Sequence, residues 1–320
     1  MKSRFLKWLI LFILISISVF SFVGCGECKH NYINYKCQNC GNEIYTEGLH
    51  YILNSEKTEY SLAGVGIAEE REIIIPSLYK GLPITSIEDN AFNNNNGKRI
   101  TKLFISNSIK TIGGSAFEQC EDLEVLTIGE GVISIGDFAF KGCTNLKEIN
   151  FDCNEFNFNN SSGVFADAGL EGVTINFGNL VKNTPSNLFS NVNVISINLC
   201  ESVLKISDFS FNGCKNLKEI IIPNSVSEIG ASSFYGCSEL SRITIGNGVK
   251  TICEDAFRWC TKLYTINYNG SKQEWRQINK KTYCFGKEIE YLGVGMPDVG
   301  SKVLATKVAC KDGSIDLLVN

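Results

Sequence analysis

Phenylalanine recurs along this chain at an almost constant interval. Successive copies are 22 to 25 residues apart, at positions 92, 117, 140, 165, 189, 211, 234 and 257. In five of these units a cysteine follows three residues later, at Cys120, Cys143, Cys214, Cys237 and Cys260. A fixed period of roughly 20–50 residues is typical of proteins built from stacked repeats, each repeat being one supersecondary unit.

A short pattern of the form apolar-x-x-apolar-x-apolar accompanies each phenylalanine. The best copies are Leu123-Leu126-Ile128, Leu146-Ile149-Phe151, Leu217-Ile220-Ile222, Leu240-Ile243-Ile245 and Leu263-Ile266-Tyr268. Poorer copies are Ile100-Leu103-Ile105, Leu170-Val173-Ile175 and Val194-Ile197-Leu199. The last three positions alternate as in a β-strand with two inward side chains and one outward. Because one unit cannot bury its apolar side alone, we expect a leucine-rich-repeat solenoid over residues 76–270, with stacked parallel strands and short helical or irregular connections.

The repeated cysteines occupy one position of successive units. Free cysteine packs as a small apolar residue, and side chains stacked in parallel point the same way. We therefore expect a column of reduced, packed thiols rather than disulfides or a redox centre. Cys153, Cys200, Cys253 and Cys284 lie off this column, and the repeat pattern does not explain them.

The two ends of the solenoid need caps, because a terminal repeat would otherwise expose its core. Residues 46–75 alternate apolar and polar side chains around Asn54-Ser55-Glu56-Lys57, which predicts a β-hairpin cap. Arg71 to Ile87 has the pattern of a first, incomplete repeat. Residues 271–320, with Trp275, are the expected C-terminal cap.

The repeats resemble the BspA-like branch of leucine-rich repeats, whose units have the form I-G-x-x-A-F-x-x-C-x-x-L-x-x-I-x-I-P-x-S-V. Residues 229–237 and 222–226 match that form well, and the resemblance covers about 70 to 270. It implies a bacterial or protist surface protein, some members being adhesins. It implies no enzymatic activity and supplies no fixed binding residues. The units of Phe165 and Phe189 lack the cysteine, and the Asn-rich stretch 154–160 replaces their apolar pair. A decayed repeat is the simpler interpretation of that stretch, and a binding insertion is the alternative.

The strand position between the last two inward residues faces outward. Down the repeats it is Phe104, Thr127, Asn150, Thr174, Asn198, Ile221, Thr244 and Asn267. With neighbouring outward residues, the candidate contact residues are Lys102, Phe104, Lys147, Asn150, Ile221, Arg242, Tyr264 and Asn267. A plain solvated surface is one interpretation. Exposed aromatic side chains among polar residues favour the other, a face that recognises a protein or a glycan.

Charge narrows the choice of partner. The net charge is −4, and without the first 24 residues, which carry Lys2, Arg4 and Lys7 and no acidic residue, it is −7. Nucleic-acid binding needs a Lys/Arg stripe that neutralises phosphates. We therefore expect no nucleic-acid partner.

Residues 1–24 are expected to be a signal peptide. A short basic segment precedes an apolar run from Trp8 to Val23. The alternative is a retained membrane anchor, but the run is shorter than the roughly 20 residues that span a bilayer. Its end, Phe22-Val23-Gly24-Cys25, resembles a bacterial lipoprotein lipobox, which implies cleavage before Cys25 and a lipid on its sulfur. Conventional cleavage without lipid is the alternative.

A cluster of metal-binding residue types follows in the segment 25–45. Cys28, His30, Cys37 and Cys40 could supply the four ligands of a closed, structural zinc site, and Cys37-Gln38-Asn39-Cys40-Gly41 has the form of a zinc knuckle. The spacing from Cys28 to His30 is tighter than usual. Disulfide bonding is the alternative, since the chain is expected to leave the cytoplasm.

Enzymatic activity is not expected. The chain has only His30 and His50, and no Ser-His-Asp or Cys-His arrangement has useful spacing. A pair of carboxylates could serve a glycosidase, but a solenoid rarely forms the cleft that this needs. The sequence therefore predicts a non-enzymatic, lipid-anchored protein of the bacterial cell surface that binds a protein or glycan partner. An envelope scaffold without an external ligand is the alternative.

Overall fold

The computed structural model describes residues 32–33, 36–37, 44–93, 99–153, 162–285 and 307–316. The chain divides into two units, Met1–Tyr45 and Thr46–Asn320. In the first, strands β1 (Tyr32–Ile33) and β2 (Lys36–Cys37) pair antiparallel. The predicted signal peptide, Cys25, Cys28, His30, Cys40, the side chain of Cys37 and the stretch 154–160 lie outside the described residues.

In the second unit, each repeat contributes one strand to a parallel stack that we call the front sheet. Its first block contains β5 (Glu72–Ile75), β8 (Lys102–Ile105), β10 (Val125–Ile128), β12 (Glu148–Phe151), β13 (Val173–Phe177) and β14 (Val194–Asn198). Its second block contains β16 (Glu219–Ile222), β18 (Arg242–Ile245), β20 (Thr265–Tyr268), β22 (Lys307–Cys310) and β23 (Gly313–Asp316). Inward residues such as Leu103, Leu126 and Ile149 are in register from strand to strand and are buried. The predicted leucine-rich-repeat solenoid is thereby confirmed.

The apolar pair before each phenylalanine forms a second stack, which we call the side sheet. It contains β3 (His50–Leu53), β4 (Tyr60–Gly64), β7 (Leu82–Ile87), β9 (Thr111–Ile112) and β11 (Ser134–Ile135), with β6 (Leu78–Tyr79) paired to β7. A second part contains β15 (Lys205–Ile206), β17 (Glu228–Ile229), β19 (Thr251–Ile252) and β21 (Asn279–Lys280), and among the described residues no ladder joins it to β11. Each of the two-residue strands from β9 to β19 buries its isoleucine and turns the preceding residue outward.

A hairpin caps each end of the solenoid, and the two hairpins extend different sheets. At the N-terminal end, β3 and β4 form the predicted antiparallel hairpin and extend the side sheet. The edge of β5 is covered by Thr46, whose amide donates to the carbonyl of Ile74 and whose Oγ1 accepts from the Ile74 amide at 2.9 Å. At the C-terminal end, helix α1 (Lys272–Gln277), with a capping box between Ser271 and Glu274, precedes the β22–β23 hairpin that extends the front sheet.

The recurring phenylalanines form one continuous stack. Neighbouring ring centroids are 4.8–6.1 Å apart in near-parallel planes. All eight predicted rings belong to it, and Phe285 adds a ninth. The rings are buried in one core cluster with the inward residues of both sheets, and such aromatic side chains contribute much of a core's stability.

The repeated cysteines form hydrogen bonds between neighbouring repeats. Each Sγ lies 3.2–3.7 Å from the backbone oxygen of a phenylalanine in the preceding repeat, so the thiol donates across the repeat boundary. These cysteines are free thiols, as predicted. Two off-column cysteines do likewise: Cys153 Sγ donates to the oxygen of Gly129 at 3.6 Å, and Cys200 Sγ to that of Phe177 at 2.8 Å.

Left-handed backbone flanks the phenylalanine stack. Fourteen described non-glycine residues have positive φ, and twelve of them lie two residues before or after a stacked phenylalanine. Gly142, Gly213 and Gly236 each lie two residues after a stacked phenylalanine and have positive φ, which glycine adopts without strain. Trp259 occupies the same position with φ 64°.

The register of one repeat differs from the prediction. Thr174 faces outward as predicted, but it is opposite Glu148, and Asn176 is the residue opposite Asn150. Leu170, predicted to face inward, is 63% exposed. The predicted inward residues Val173 and Ile175 are both buried. Because the repeat of Phe165 places its strand one residue later than the preceding repeat does, Ile175 and Phe177 align with Ile149 and Phe151.

A seam separates the two blocks of the front sheet. Within the described residues no strand ladder joins β14 to β16. A β-bulge interrupts the β13–β14 pairing just before it. The Phe189–Phe211 pair at this level has the widest spacing of the stack, 6.1 Å. The bulged strand and the missing ladder therefore make the front sheet weaker at this level than within either block.

Two buried serines that precede stacked phenylalanines give a matched stability test. Ser233 Oγ is buried without a hydrogen-bond partner among the described residues, where the equivalent repeats have Ala116, Ala139 and Ala256. We expect Ser233→Ala to raise the free energy of unfolding by about 1 kcal/mol, because an unsatisfied buried hydroxyl is destabilising. Urea denaturation measures the change.

Ser210 is the control for that substitution. Its hydroxyl lies 2.7 Å from Thr184 Oγ1 and donates to the oxygen of Ser207 at 2.8 Å. Ser210→Ala should lower the free energy of unfolding by about 1 kcal/mol. Equal effects of the two substitutions would contradict this account of Ser233.

Candidate functional site

The predicted contact residues lie along the front sheet. Lys102, Phe104, Asn150, Ile221, Arg242 and Asn267 are on its strands, while Lys147 and Tyr264 come immediately before strands. In the first block, Phe104 is next to Thr127, which is next to Asn150 on the following strand. In the second block, Ile221, Thr244 and Asn267 follow one another in the same way. The front face is therefore two rows of outward side chains, divided at the seam.

The cationic candidates are paired with acids of the preceding repeat. Lys102 Nζ lies 2.8 Å from Glu72 Oε1, and Lys147 Nζ lies 3.1 Å from Glu124 Oε1. Arg242 makes the same kind of contact with an oxygen of Glu219 at 3.0 Å. Exposed pairs of this type contribute at most about 1 kcal/mol to stability. They do satisfy the charges, so these three residues are less available to a partner than the sequence suggests.

The middle of the face is a ladder of amides. The Asn150 amide donates to Thr127 Oγ1 at 3.3 Å, Asn176 donates to Asn150 Oδ1 at 2.9 Å, and Asn198 donates to Asn176 Oδ1 at 2.7 Å. Asn176 also donates to Glu148 Oε1 at 3.0 Å. This part of the face already uses its polar groups within the protein.

Among the predicted contact residues, the exposed apolar side chains lie beyond the seam. The side chain of Ile221 is 67% exposed and that of Tyr264 is 55% exposed. Ile195, the bulged residue of β14, is 46% exposed, whereas Phe104 is only half-buried. Of the three apolar candidates, two are therefore open to a partner, and both lie in the second block.

Sequence reasoning missed an aromatic–arginine cluster on the phenylalanine turns. The Arg258 guanidinium lies 5.9 Å from the Trp259 ring and 5.3 Å from the Tyr283 ring, and its Nη1 is 3.5 Å from Asp255 Oδ1. Cation–π contacts of this length are favourable. The available signal was a tryptophan at a position where three other repeats have glycine.

Within the described ranges, the side chains that could serve in catalysis or metal binding are not grouped together. His50 is exposed on the edge strand β3. Over the same ranges, no group of three or more His, Cys, Asp or Glu side chains is placed to hold a metal ion. Among the helices of those ranges, none has the length and apolar character needed to cross a bilayer.

Solved structures with a similar arrangement come from bacteria. A leucine rich cell surface protein from Faecalibacterium prausnitzii is 19% identical, over 73% of this chain and 96% of that one, with a TM-score of 0.33. The T. pallidum leucine rich repeat protein is 19% identical over 75% and 86%, with a TM-score of 0.34. The pneumococcal vaccine antigen PcpA is 16% identical over 64% and 72%, with a TM-score of 0.30. No curated protein sequence matches the chain.

The repeats also match a known family of leucine-rich repeats. The model of the BspA type leucine rich repeat region matches in six copies, over residues 71–192 and 182–293. These matches cover more than two thirds of the 320 residues and coincide with the stacked strands and the phenylalanine column. This chain therefore belongs to the BspA type leucine-rich repeat family.

Proposed function

We propose that this protein is a non-enzymatic surface protein that binds a protein partner through the second block of its front face. The observation that carries the proposal is the exposure of Ile221 and Tyr264 in the second block, where the neighbouring Arg242 is paired with Glu219. Tyrosine is enriched among residues that dominate binding energy. The paired polar groups around it form the kind of rim that surrounds such contacts.

A protein suits this face better than a glycan. Sugar hydroxyls need free donors and acceptors, while the amide ladder from Thr127 to Asn198 satisfies itself. An apolar side chain as exposed as Ile221 gains most by burial against another apolar surface, at roughly 25 cal/mol for each Å² removed from water.

The proposed location is the outer face of a bacterial membrane. It rests on the signal peptide and on the lipobox-like segment that ends at Cys25, and it agrees with the surface location named for the Faecalibacterium prausnitzii protein. A lipid on Cys25 would anchor the mature chain without a membrane-spanning segment. The structural zinc at Cys28, His30, Cys37 and Cys40 stays a prediction from the spacing of those residues.

The test is a binding assay with the mature chain tethered through its N-terminus. Host-matrix proteins and bacterial envelope extract are presented to the wild type and to an Ile221→Ser, Tyr264→Ser double variant. We expect a saturable partner whose affinity falls at least about tenfold in the double variant, equivalent to about 1.4 kcal/mol.

The control for this assay is Ile133→Ser. Ile133 is 41% exposed and lies immediately before β11 on the side sheet, away from the front face. It should leave the affinity unchanged. A partner bound equally by all variants would move the site elsewhere, and the absence of any saturable partner would favour the scaffold alternative.

A further inference from the structure

A polar groove runs along the N-terminal half of the side sheet, on a different surface from the front face. Its volume is about 460 Å³, within the range of small-ligand sites. The hydroxyl-bearing residues Ser86, Thr111 and Ser134 line it in three successive repeats, and Glu88 and Asp89 lie at one end. Gly113, Gly114 and Gly136 form the rest of the lining.

Gly114 leaves the groove open. The equivalent position of other repeats carries a side chain, in Asp89, Asp137, Asp208, Ala231 and Glu254. A Cβ on Gly114 would meet Asp137 and Asp89 only at ordinary contact distances of 3.5 Å or more. Neither space nor backbone conformation therefore requires glycine here. By contrast, Gly113 and Gly136 approach the preceding repeat so closely that a Cβ would collide with its backbone.

The hydroxyls that line the groove are available to a ligand. Within the described ranges, no hydrogen bond joins the side chains of Ser86, Thr111 or Ser134 to another protein group. The same row of the C-terminal half is different, because Lys205 Nζ and Glu228 Oε1 form an ion pair of 2.7 Å there. Among the described residues, the N-terminal half thus presents three hydroxyls side by side, whereas two neighbouring positions of the other half are occupied by the Lys205–Glu228 ion pair.

The lining selects one class of ligand. It contains two carboxylates and no Lys or Arg, which disfavours phosphates and other anions. Its apolar members Ile87, Ile112 and Ile135 are each 2% exposed and point into the core, so an apolar ligand gains little. The hydroxyls of Ser86, Thr111 and Ser134 can donate to and accept from vicinal hydroxyl groups, and the exposed Glu88 carboxylate can accept from them. Asp89 Oδ1 already accepts from the Gly114 amide at 2.7 Å, which leaves its second oxygen for a ligand. We infer that this groove binds a neutral sugar of monosaccharide to disaccharide size.

Recognition of a sugar here is independent of the protein contact proposed for the front face. The two sites use different sheets, and the groove lies in the N-terminal half while Ile221 and Tyr264 lie in the second block. Because the groove is open on one side, we expect weak affinity for a single sugar, with Kd on the order of 1 mM.

The experiment titrates the full chain with D-galactose and methyl α-D-glucopyranoside, followed by saturation-transfer NMR and calorimetry. N-acetylneuraminic acid and ethanolamine serve as anionic and cationic comparisons. Gly114→Gln fills the groove without backbone strain and should weaken sugar binding at least about tenfold. Its matched control, Ala231→Gln, changes the equivalent position in the other half and should leave binding unchanged.

A second pair tests the hydroxyls themselves. Thr111→Val should weaken binding about fivefold, whereas Thr251→Val, the first residue of β19, should not. Binding of a neutral sugar that responds to Gly114→Gln and Thr111→Val alone supports the inference. No sugar binding up to about ten times the expected Kd, binding of ethanolamine in place of sugars, or equal loss in the control variants overturns it.

Discussion

Replacing Phe234 with alanine is expected to lower the free energy of unfolding by about 3–5 kcal/mol. The ring is fully buried and stacks on Phe211 at 5.4 Å and on Phe257 at 5.2 Å, so truncation removes two aromatic contacts at once. The cavity would lie between two sheets whose strands are hydrogen-bonded across the repeats, which limits how far it can collapse. Urea or thermal denaturation of the purified chain measures the effect.

Phe209 is the control for the stack. It lies two residues from Phe211 in the same turn, but its side chain is 46% exposed and stands outside the column. Phe209→Ala should change the free energy of unfolding by less than about 0.5 kcal/mol. If Phe234→Ala cost no more than Phe209→Ala, the phenylalanine column would not be the main source of stability.

Alkaline pH is expected to destabilise the fold steeply. Burial raises the pKa of the Cys120 thiol to about 12, and it also raises the pKa of Cys143, Cys153, Cys214 and Cys260 well above the ordinary thiol value. Above about pH 9, the unfolded chain therefore loses protons that the folded chain keeps. Each such thiol lowers the free energy of unfolding by about 1.4 kcal/mol per pH unit, and five together by about 7 kcal/mol. Below about pH 8 their contribution is fully present.

The slope of stability against pH isolates the thiols. Tyrosine and lysine also titrate near pH 10, so the wild type is compared with a Cys120→Ala, Cys143→Ala double variant by urea denaturation at pH 8, 9 and 10. The variant should be less stable at pH 8, because packing is lost. Its slope above pH 9 should be shallower by about 2.8 kcal/mol per pH unit. An unchanged slope would mean that these thiols are not protected by burial.

The regular part of the fold could be predicted from the sequence because its signal repeats. The spacing of Phe92 to Phe257 indicates the stack, and the alternation in residues such as Ile220 and Ile222 indicates which side of each strand is buried. The prediction failed where the period breaks. One extra residue places Asn176, rather than the equally outward Thr174, in the row of Asn150, and the interval of 28 residues hid Phe285.

The candidate sites were harder to predict because they depend on contacts across repeats. The sequence marks Lys102 and Arg242 as outward and charged, but it does not show that each is paired with an acid about 23–30 residues earlier. The groove arises from a missing side chain at Gly114, and a single glycine among 29 has no pattern of its own. A repeat period predicts which residues face outward. It does not predict which of their charged and polar groups pair with neighbouring repeats, and that pairing decides which groups a ligand can contact.

The seam in the front sheet has a consequence for how the molecule comes apart. In a stack whose units touch only their neighbours, stability is a sum of nearest-neighbour terms, and unfolding that begins at one end proceeds until it reaches a weak term. The missing ladder between β14 and β16 divides the protein into a proximal and a distal cooperative block. Ile221 and Tyr264 belong to the distal block, and the sugar groove to the proximal one. Fraying would therefore expose the distal block to proteolysis, and cleavage there would remove the proposed protein-binding surface while the groove stayed with the N-terminal part of the chain.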